Sequence, residues 1–185
     1  MKQNLLIGLF VALINCFGAV SVFGVDVTIN SDTELSTLLT KISDGGTLVV
    51  NMGKKNISVI VSSNTTISAN QVVVIKGNIK VDGNGVKLIV NGKMTSEETL
   101  IDNKADLTVN AGGNAILGEV EFKNNSHLTA NGNIKLNNLT MSTGNATVNV
   151  GSGGTFDVSG DFNVENGECT SVSYTHLTLP TMAVV

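Results

Sequence analysis

Glu119 and Glu121 alternate with Val120 and Phe122, so on an extended strand both carboxylates leave the same face. An acidic rung of this kind either solubilises a surface or receives a cation or carbohydrate hydroxyls. Thr108 and Thr129 fall in one column of a sequence repeat, and stacked outward threonines suit an ordered, ice-binding array. The third position of that column is Asn149, which interrupts the pattern. Glu119, Glu121, Thr108 and Thr129 together form the candidate surface-binding face.

The remaining candidates lack the partners that their chemistry needs. Asp82-Gly-Asn84-Gly85 opens like a calcium loop, but the further ligands and the distal Glu are missing, which leaves a tight turn. Asp102 and Asp106 are better explained as solvated carboxylates at a turn or strand edge than as a catalytic pair. His127 is the only histidine between residues 25 and 170, too isolated for a transition-metal site, and reads as a surface residue. No residue is assigned as catalytic, cofactor-binding or metal-ligating, and no cofactor is expected.

The elements that carry these side chains are repeats. Residues 105–125, 126–145 and 146–167 can be laid under one another, each with three short alternating apolar segments between Gly/Asn turns. The first column is Leu107/Val109, Leu128/Ala130 and Val148/Val150. The second is Ile116, Ile134/Leu136 and Phe156/Val158. The third is Val120/Phe122, Leu139/Met141 and Phe162/Val164. A period of roughly 20–22 residues with three strands per repeat is the arithmetic of a β-solenoid, in which each turn buries its side chains on its neighbours. Asparagine suits the corners, because it tolerates left-handed backbone and its amide can stack from turn to turn.

Upstream, further strands are expected at 25–29, 47–52, 57–61, 65–68, 72–75, 79–81, 86–90 and 99–101, with Lys76-Gly77 as a turn. The polar stretch 93–98, Lys-Met-Thr-Ser-Glu-Glu, reads as a bulging loop. Ser31 and Glu34 form a capping-box pattern, and Leu35, Leu38, Leu39 and Ile42 follow at helical spacing, which predicts one amphipathic helix over 32–43. A helix ahead of the first stacked strands suits the task of closing the open end of the core. The expectation is an all-β, right-handed parallel β-helix of five to six turns with an N-terminal capping helix, a rod on the order of 25 Å tall.

Both ends of the 185-residue chain differ from this middle. Residues 1–24 carry Lys2, an apolar run over 5–14 and a small-residue exit, and read as a secretory signal peptide. Residues 171–185 hold the only Tyr and the only Pro, and 172–181 resemble the translation of a sequencing-library adapter. They are expected to be a non-native tail, with the solenoid over 25–170 cut before its C-terminal cap. Its last strands, left uncovered, would be prone to self-association. There is no Trp and no Arg, and the net charge of −4 with scattered Lys argues against a nucleic-acid groove. Cys169 is the sole thiol once the leader is set aside, so an internal disulfide is not expected.

The order of helix, Gly45-Gly46, apolar strand and Gly/Asn-punctuated short strands resembles the opening of pectate-lyase-like right-handed parallel β-helices. That superfamily includes polysaccharide lyases and hydrolases, phage tailspikes and autotransporter passenger domains. Gly112-Gly-Asn-Ala-Ile116 with Phe122-Lys-Asn-Asn125 is similar to repeats of chlamydial-type polymorphic outer-membrane proteins. The lyase branch uses an Arg base with calcium-holding acids, and the galacturonan-hydrolysing branch uses an adjacent Asp pair. This chain has neither. The resemblance therefore implies a non-enzymatic, exported surface solenoid, closest in character to an autotransporter or adhesin passenger on a Gram-negative outer membrane. Its expected partners are host or neighbouring cell-surface glycans or proteins, with the membrane reached through a C-terminal barrel beyond this sequence. The alternative is the start of a polysaccharide-active β-helix whose catalytic turns lie further along the gene.

Overall fold

The computed structural model describes residues 24–165 and a two-residue strand, Leu177–Thr178. Residues 1–23 of the leader, Cys169 and nearly all of the tail lie outside the described residues. Strict alternation of buried and outward positions drives the chain into short strands, and every pairing between them is parallel. They stack into an all-β parallel solenoid of about seven turns with one short helix.

The first turn holds β1 (Gly24–Ile29), β2 (Thr33–Glu34) and α1 (Leu35–Leu39). The second holds β3 (Thr47–Met52), β4 (Ser58–Val61) and β5 (Thr65–Ile67). From there each turn has one long strand and one short one. The pairs are β6 (Val72–Asp82) with β7 (Lys87–Val90), β8 (Lys93–Asp102) with β9 (Asp106–Val109), β10 (Asn114–Phe122) with β11 (His127–Ala130), and β12 (Asn133–Met141) with β13 (Thr147–Val150). The seventh turn carries β14 (Thr155–Val158) and β15 (Phe162–Val164), and β16 (Leu177–Thr178) pairs with β14. The long strands belong to an 11-stranded sheet with β1–β4 and β14–β16, and β5, β7, β9, β11 and β13 form a 5-stranded sheet. The core between them is filled by stacked Val, Ile and Leu with Phe122 fully buried.

The repeat columns correspond to real registers. Leu88, Leu107, Leu128 and Val148 stack in one file and Val90, Val109, Ala130 and Val150 in the next. Val120, Leu139 and Phe162 stack in another. The second column needs a one-residue correction. Ala115 and Leu117, not Ile116, align with Ile134 and Leu136, and Ile116 points outward with 51% of its surface exposed. A one-residue slip exchanges the faces of a strand, and the neighbouring turns decide the choice. Met94, Ile134 and Phe156 already fill Ala115's layer, so a small residue suffices there.

Residues 93–98 are not a loop. They are the first half of β8, in register with β6 and β10, with Met94 buried. Their polarity is absorbed internally: Ser96 and Thr99 are both buried and share a 2.7 Å hydrogen bond. Lys76-Gly77 is likewise no break, since β6 runs through it with a register irregularity between Ile75 and Asn78. The solenoid has about seven turns, against the expected five to six, counting the helix-bearing turn at one end and the β14–β15 turn at the other.

The helix is shorter than 32–43, spanning only Leu35–Leu39. Its N-cap is Glu34 without a side-chain cap, so the Ser31/Glu34 capping box does not form. Thr33 and Glu34 instead extend against β4, and the Glu34 carboxylate accepts a 2.6 Å hydrogen bond from the Ser62 hydroxyl one turn on. A cross-turn bond outcompetes the local cap. Leu35, Leu38 and Ile42 are nevertheless buried, and the helix packs against β4 and β5, the last strand of the 5-stranded sheet. It closes that end of the core as expected.

Two kinds of corner connect the sheets. Before β8, β10, β12 and β14 stands a buried glycine (Gly92, Gly113, Gly132 and Gly154). Three of these pass a backbone hydrogen bond to the strand start one turn on, as in Gly113 O accepting from Asn133 N at 3.0 Å. After the long strands β8 and β10, Asn103-Lys104 and Asn124-Asn125 take left-handed backbone, with φ between 51° and 62°. Their amides reach back one turn, Asn103 Nδ2 to Asp82 at 2.6 Å and Asn124 Nδ2 to Asp102 at 2.8 Å.

Candidate surface groove

A register irregularity in β6 and two successive outward positions in β8, β10 and β12 divide each long strand into two halves. On the outer side of the second halves, alternate residues of β6, β8, β10 and β12 line a groove of about 370 Å³. Register stacks Asn78, Glu98, Glu119 and Asn138 in one file, and Lys80, Leu100, Glu121 and Thr140 in the next. Rungs in a file are about 4.8 Å apart and the two files about 6.6 Å.

Glu119 and Glu121 thus lie side by side on the outer face, as their alternation predicts. They are not alone. Glu98 stands directly beneath Glu119, and sequence reading missed it because 93–98 looked like a loop. The alternation Glu98, Leu100 set against buried Thr99 and Ile101 was the available signal. Glu121 is held in place by Lys123 at 2.9 Å and by the Ser142 hydroxyl at 2.9 Å. Glu119 receives only a long 3.5 Å contact from Asn138 Nδ2. Like charges on directly opposed strand positions disfavour the sheet, so Glu98 over Glu119 is a local expense that a bound donor would relieve.

Lys80 at the groove's edge is tied to Asp82 at 2.6 Å. That hydrogen bond holds the Lys80 ammonium above its ordinary range and the Asp82 carboxyl below its own, with Asn103 assisting at Asp82. Lys80 is therefore a fixed positive charge, unsuited to act as a base near neutral pH. Among the described residues, no three His, Cys, Asp or Glu side chains converge in a way that would hold a metal ion. The groove offers carboxylate and amide groups that can hydrogen-bond to hydroxyl or amide groups.

Thr108 and Thr129 are stacked in register, but on the 5-stranded sheet, separate from the groove. Ile89 precedes them and Asn149 follows, so the threonine array is two rungs deep. The four candidate residues form two faces rather than one. His127 is half-buried on that second sheet, stacked between Asp106 and Thr147, with Nδ1 at 2.5 Å from the Thr147 hydroxyl. Asp106 pairs with Lys87 at 3.4 Å, while Asp102 accepts from Asn103 N at 2.7 Å, so the two carboxylates serve separate structural contacts. Gly83 and Gly85, with φ of 129° and 75°, make the tight turn expected at 82–85.

No protein-family model, curated protein or solved structure matches this chain. The fold and the groove are the grounds on which function is read.

Proposed function

We propose that this chain is part of an exported β-solenoid that works by presenting a stiff, polar face to other surfaces, in the manner of an adhesin or autotransporter passenger. The observation that carries this reading is the groove across β6, β8, β10 and β12, where Glu98, Glu119 and Asn138 stand one above another on a continuous rigid sheet. Regular rungs of acceptors and amides on a preorganised surface suit repeated hydroxyls, so the class of ligand favoured is a cell-surface glycan. Side chains fixed by the sheet lose little entropy on binding. The leader-like residues 1–24 support export, and the stacked turns supply the spacer.

The test is a glycan-array screen of the purified chain beside a Glu98→Ala/Glu119→Ala variant. Binding that falls about tenfold or more in the variant supports the reading. Binding indifferent to both substitutions, or confined to the Thr108/Thr129 face, sinks it. The second reading, a polysaccharide-active β-helix, rests on the same groove and would take its catalytic residues from turns outside this sequence. Sequencing that region separates the two: a C-terminal barrel favours the adhesin, and clustered Asp, or Arg with Lys, on later turns favours the enzyme.

A further inference from the structure

The second turn departs from the rhythm of the turns stacked on it. In β8, β10 and β12 the two halves of the long strand run on without a break, whereas β3 and β4 are separated by an inserted loop, residues 53–57, that carries Lys54, Lys55 and Asn56. The next turn departs at the same place. Between Ile75 and Asn78, β6 sets two residues, Lys76 and Gly77, against the single Glu97 of β8, the only register irregularity among the described pairings. Two residues opposite one make a β-bulge, a device that re-aims a side chain. Here Lys76 is exposed and Gly77 is buried. Stacking alone requires neither the loop nor the bulge, since the later turns do without both.

Loop and bulge together form an open pocket of about 490 Å³, with Met52 and Ile57 in its wall. Lys54, Lys55 and Lys76 line it, and among the described residues none of the three takes part in an ion pair, unlike Lys80, Lys87 and Lys123. Glu97 is the one acidic residue of the lining, so three lysines against one glutamate leave a local charge of +2 in a chain of net charge −4. A concave site with apolar walls focuses the field of its charges on whatever enters it. Asn56 adds a left-handed residue at φ 59°, and the N–H groups around such a turn make a concavity that favours anions. A carboxylate offers two oxygens in one plane, whereas a tetrahedral group can offer one to each of three ammonium groups arriving from two turns. The volume holds such a group with part of its water shell, at ~30 Å³ for each water. We propose that this pocket binds a tetrahedral oxyanion, sulfate or phosphate, either free or carried as an ester on a larger molecule. It shares Asn78 with the groove but does not rest on the glycan reading of that groove.

Calorimetric titration of the purified full chain with inorganic sulfate and inorganic phosphate, in a low-salt buffer free of both, is expected to show saturable binding at one site. Sulfated dextran, titrated alongside, separates the two sources. Tighter binding per sulfate group than the inorganic ion assigns the oxyanion to a larger molecule, and equal or weaker binding assigns a free ion. Lys54, Lys55 and Lys76 are all exposed, so they can be changed without touching the core. Lys54→Gln/Lys55→Gln and Lys76→Gln should each weaken binding about tenfold, and Glu97→Gln should tighten it about twofold or more. Lys41→Gln, at an exposed lysine outside the pocket, should change nothing, and Glu98→Ala/Glu119→Ala should not weaken binding even if it abolishes recognition in the groove. Circular dichroism confirms that each variant is folded. Absence of saturable binding overturns the proposal. So does binding indifferent to the pocket lysines, or a loss with Lys41→Gln as large as that with Lys76→Gln.

Discussion

The glycine corner and the asparagine corner meet the same need, turning a strand while keeping contact with the turn below, with different side chains. At the glycine corner the backbones themselves approach. A Cβ built on Gly132 would strike the carbonyl oxygens of Asn110 and Gly113, both on the preceding turn. At the asparagine corner the backbones are joined by hydrogen bonds such as Lys104 N to Asn124 O at 3.0 Å, and a side chain adds a second bridge, as Asn124 does to Asp102. Stacking is thus enforced by absence of bulk at one edge and by a specific polar group at the other.

Exchanging the two solutions should show that they are not interchangeable. Gly132→Ala is expected to cost the most, about 2–3 kcal/mol, because rigid carbonyls on two sides cannot move aside; urea unfolding measures it. Asn124→Ala should cost about 2 kcal/mol, the sum of a left-handed φ without asparagine's tolerance and a lost hydrogen bond. Asn124→Gly, which keeps the conformation and loses only the bond, should cost under about 1 kcal/mol. If Asn124→Gly proves as harmful as Gly132→Ala, the distinction between the corners fails.

The midpoint of the long strand extends the comparison to a third case. Ser96→Ala leaves the Thr99 hydroxyl buried without a partner, an expected loss of about 1–2 kcal/mol. Adding Thr99→Val should recover part of that loss, since both polar groups then leave together. The smallest effect belongs to Lys80 and Asp82 near the asparagine corner. Asp82's lowered pKa contributes stability above about pH 4 that is lost as pH falls through the folded value. Lys80's raised pKa contributes stability below about pH 10.4 that is lost as pH rises through its folded value. Both groups are partly exposed, so Lys80→Gln should cost only a few tenths of a kcal/mol near neutral pH and flatten both limbs of a pH–melting profile.

The corners also explain what could be read from the chain before its structure. Gly, Asn and alternating aliphatics are local signals, so the solenoid, its period and the Leu107–Leu128–Val148 file were legible. The failures share one cause. Ser96 and Thr99 look like loop residues until their mutual bond is known, and Ile116 looks like core until Met94 and Ile134 fix the register. The Ser31/Glu34 motif lost to a hydroxyl 28 positions away. In a stacked structure the deciding partner sits one turn on, beyond the window of a local pattern. For the same reason Glu119 and Glu121 were found as neighbours, while Glu98 beneath them was not.

The one-turn spacing of partners bears finally on how the chain acquires its shape. Nearly every cross-strand pair joins residues roughly 20 apart, from Leu107 with Leu128 to Phe122 with Met141, and no described strand pairs across the length of the rod. Loop closure is therefore equally short at every step, unlike most β architectures, whose distant strands must find each other. Each completed turn is a template for the next. Turns can therefore be added one at a time, so the free energy of stacking accrues step by step along the chain rather than in a single closure.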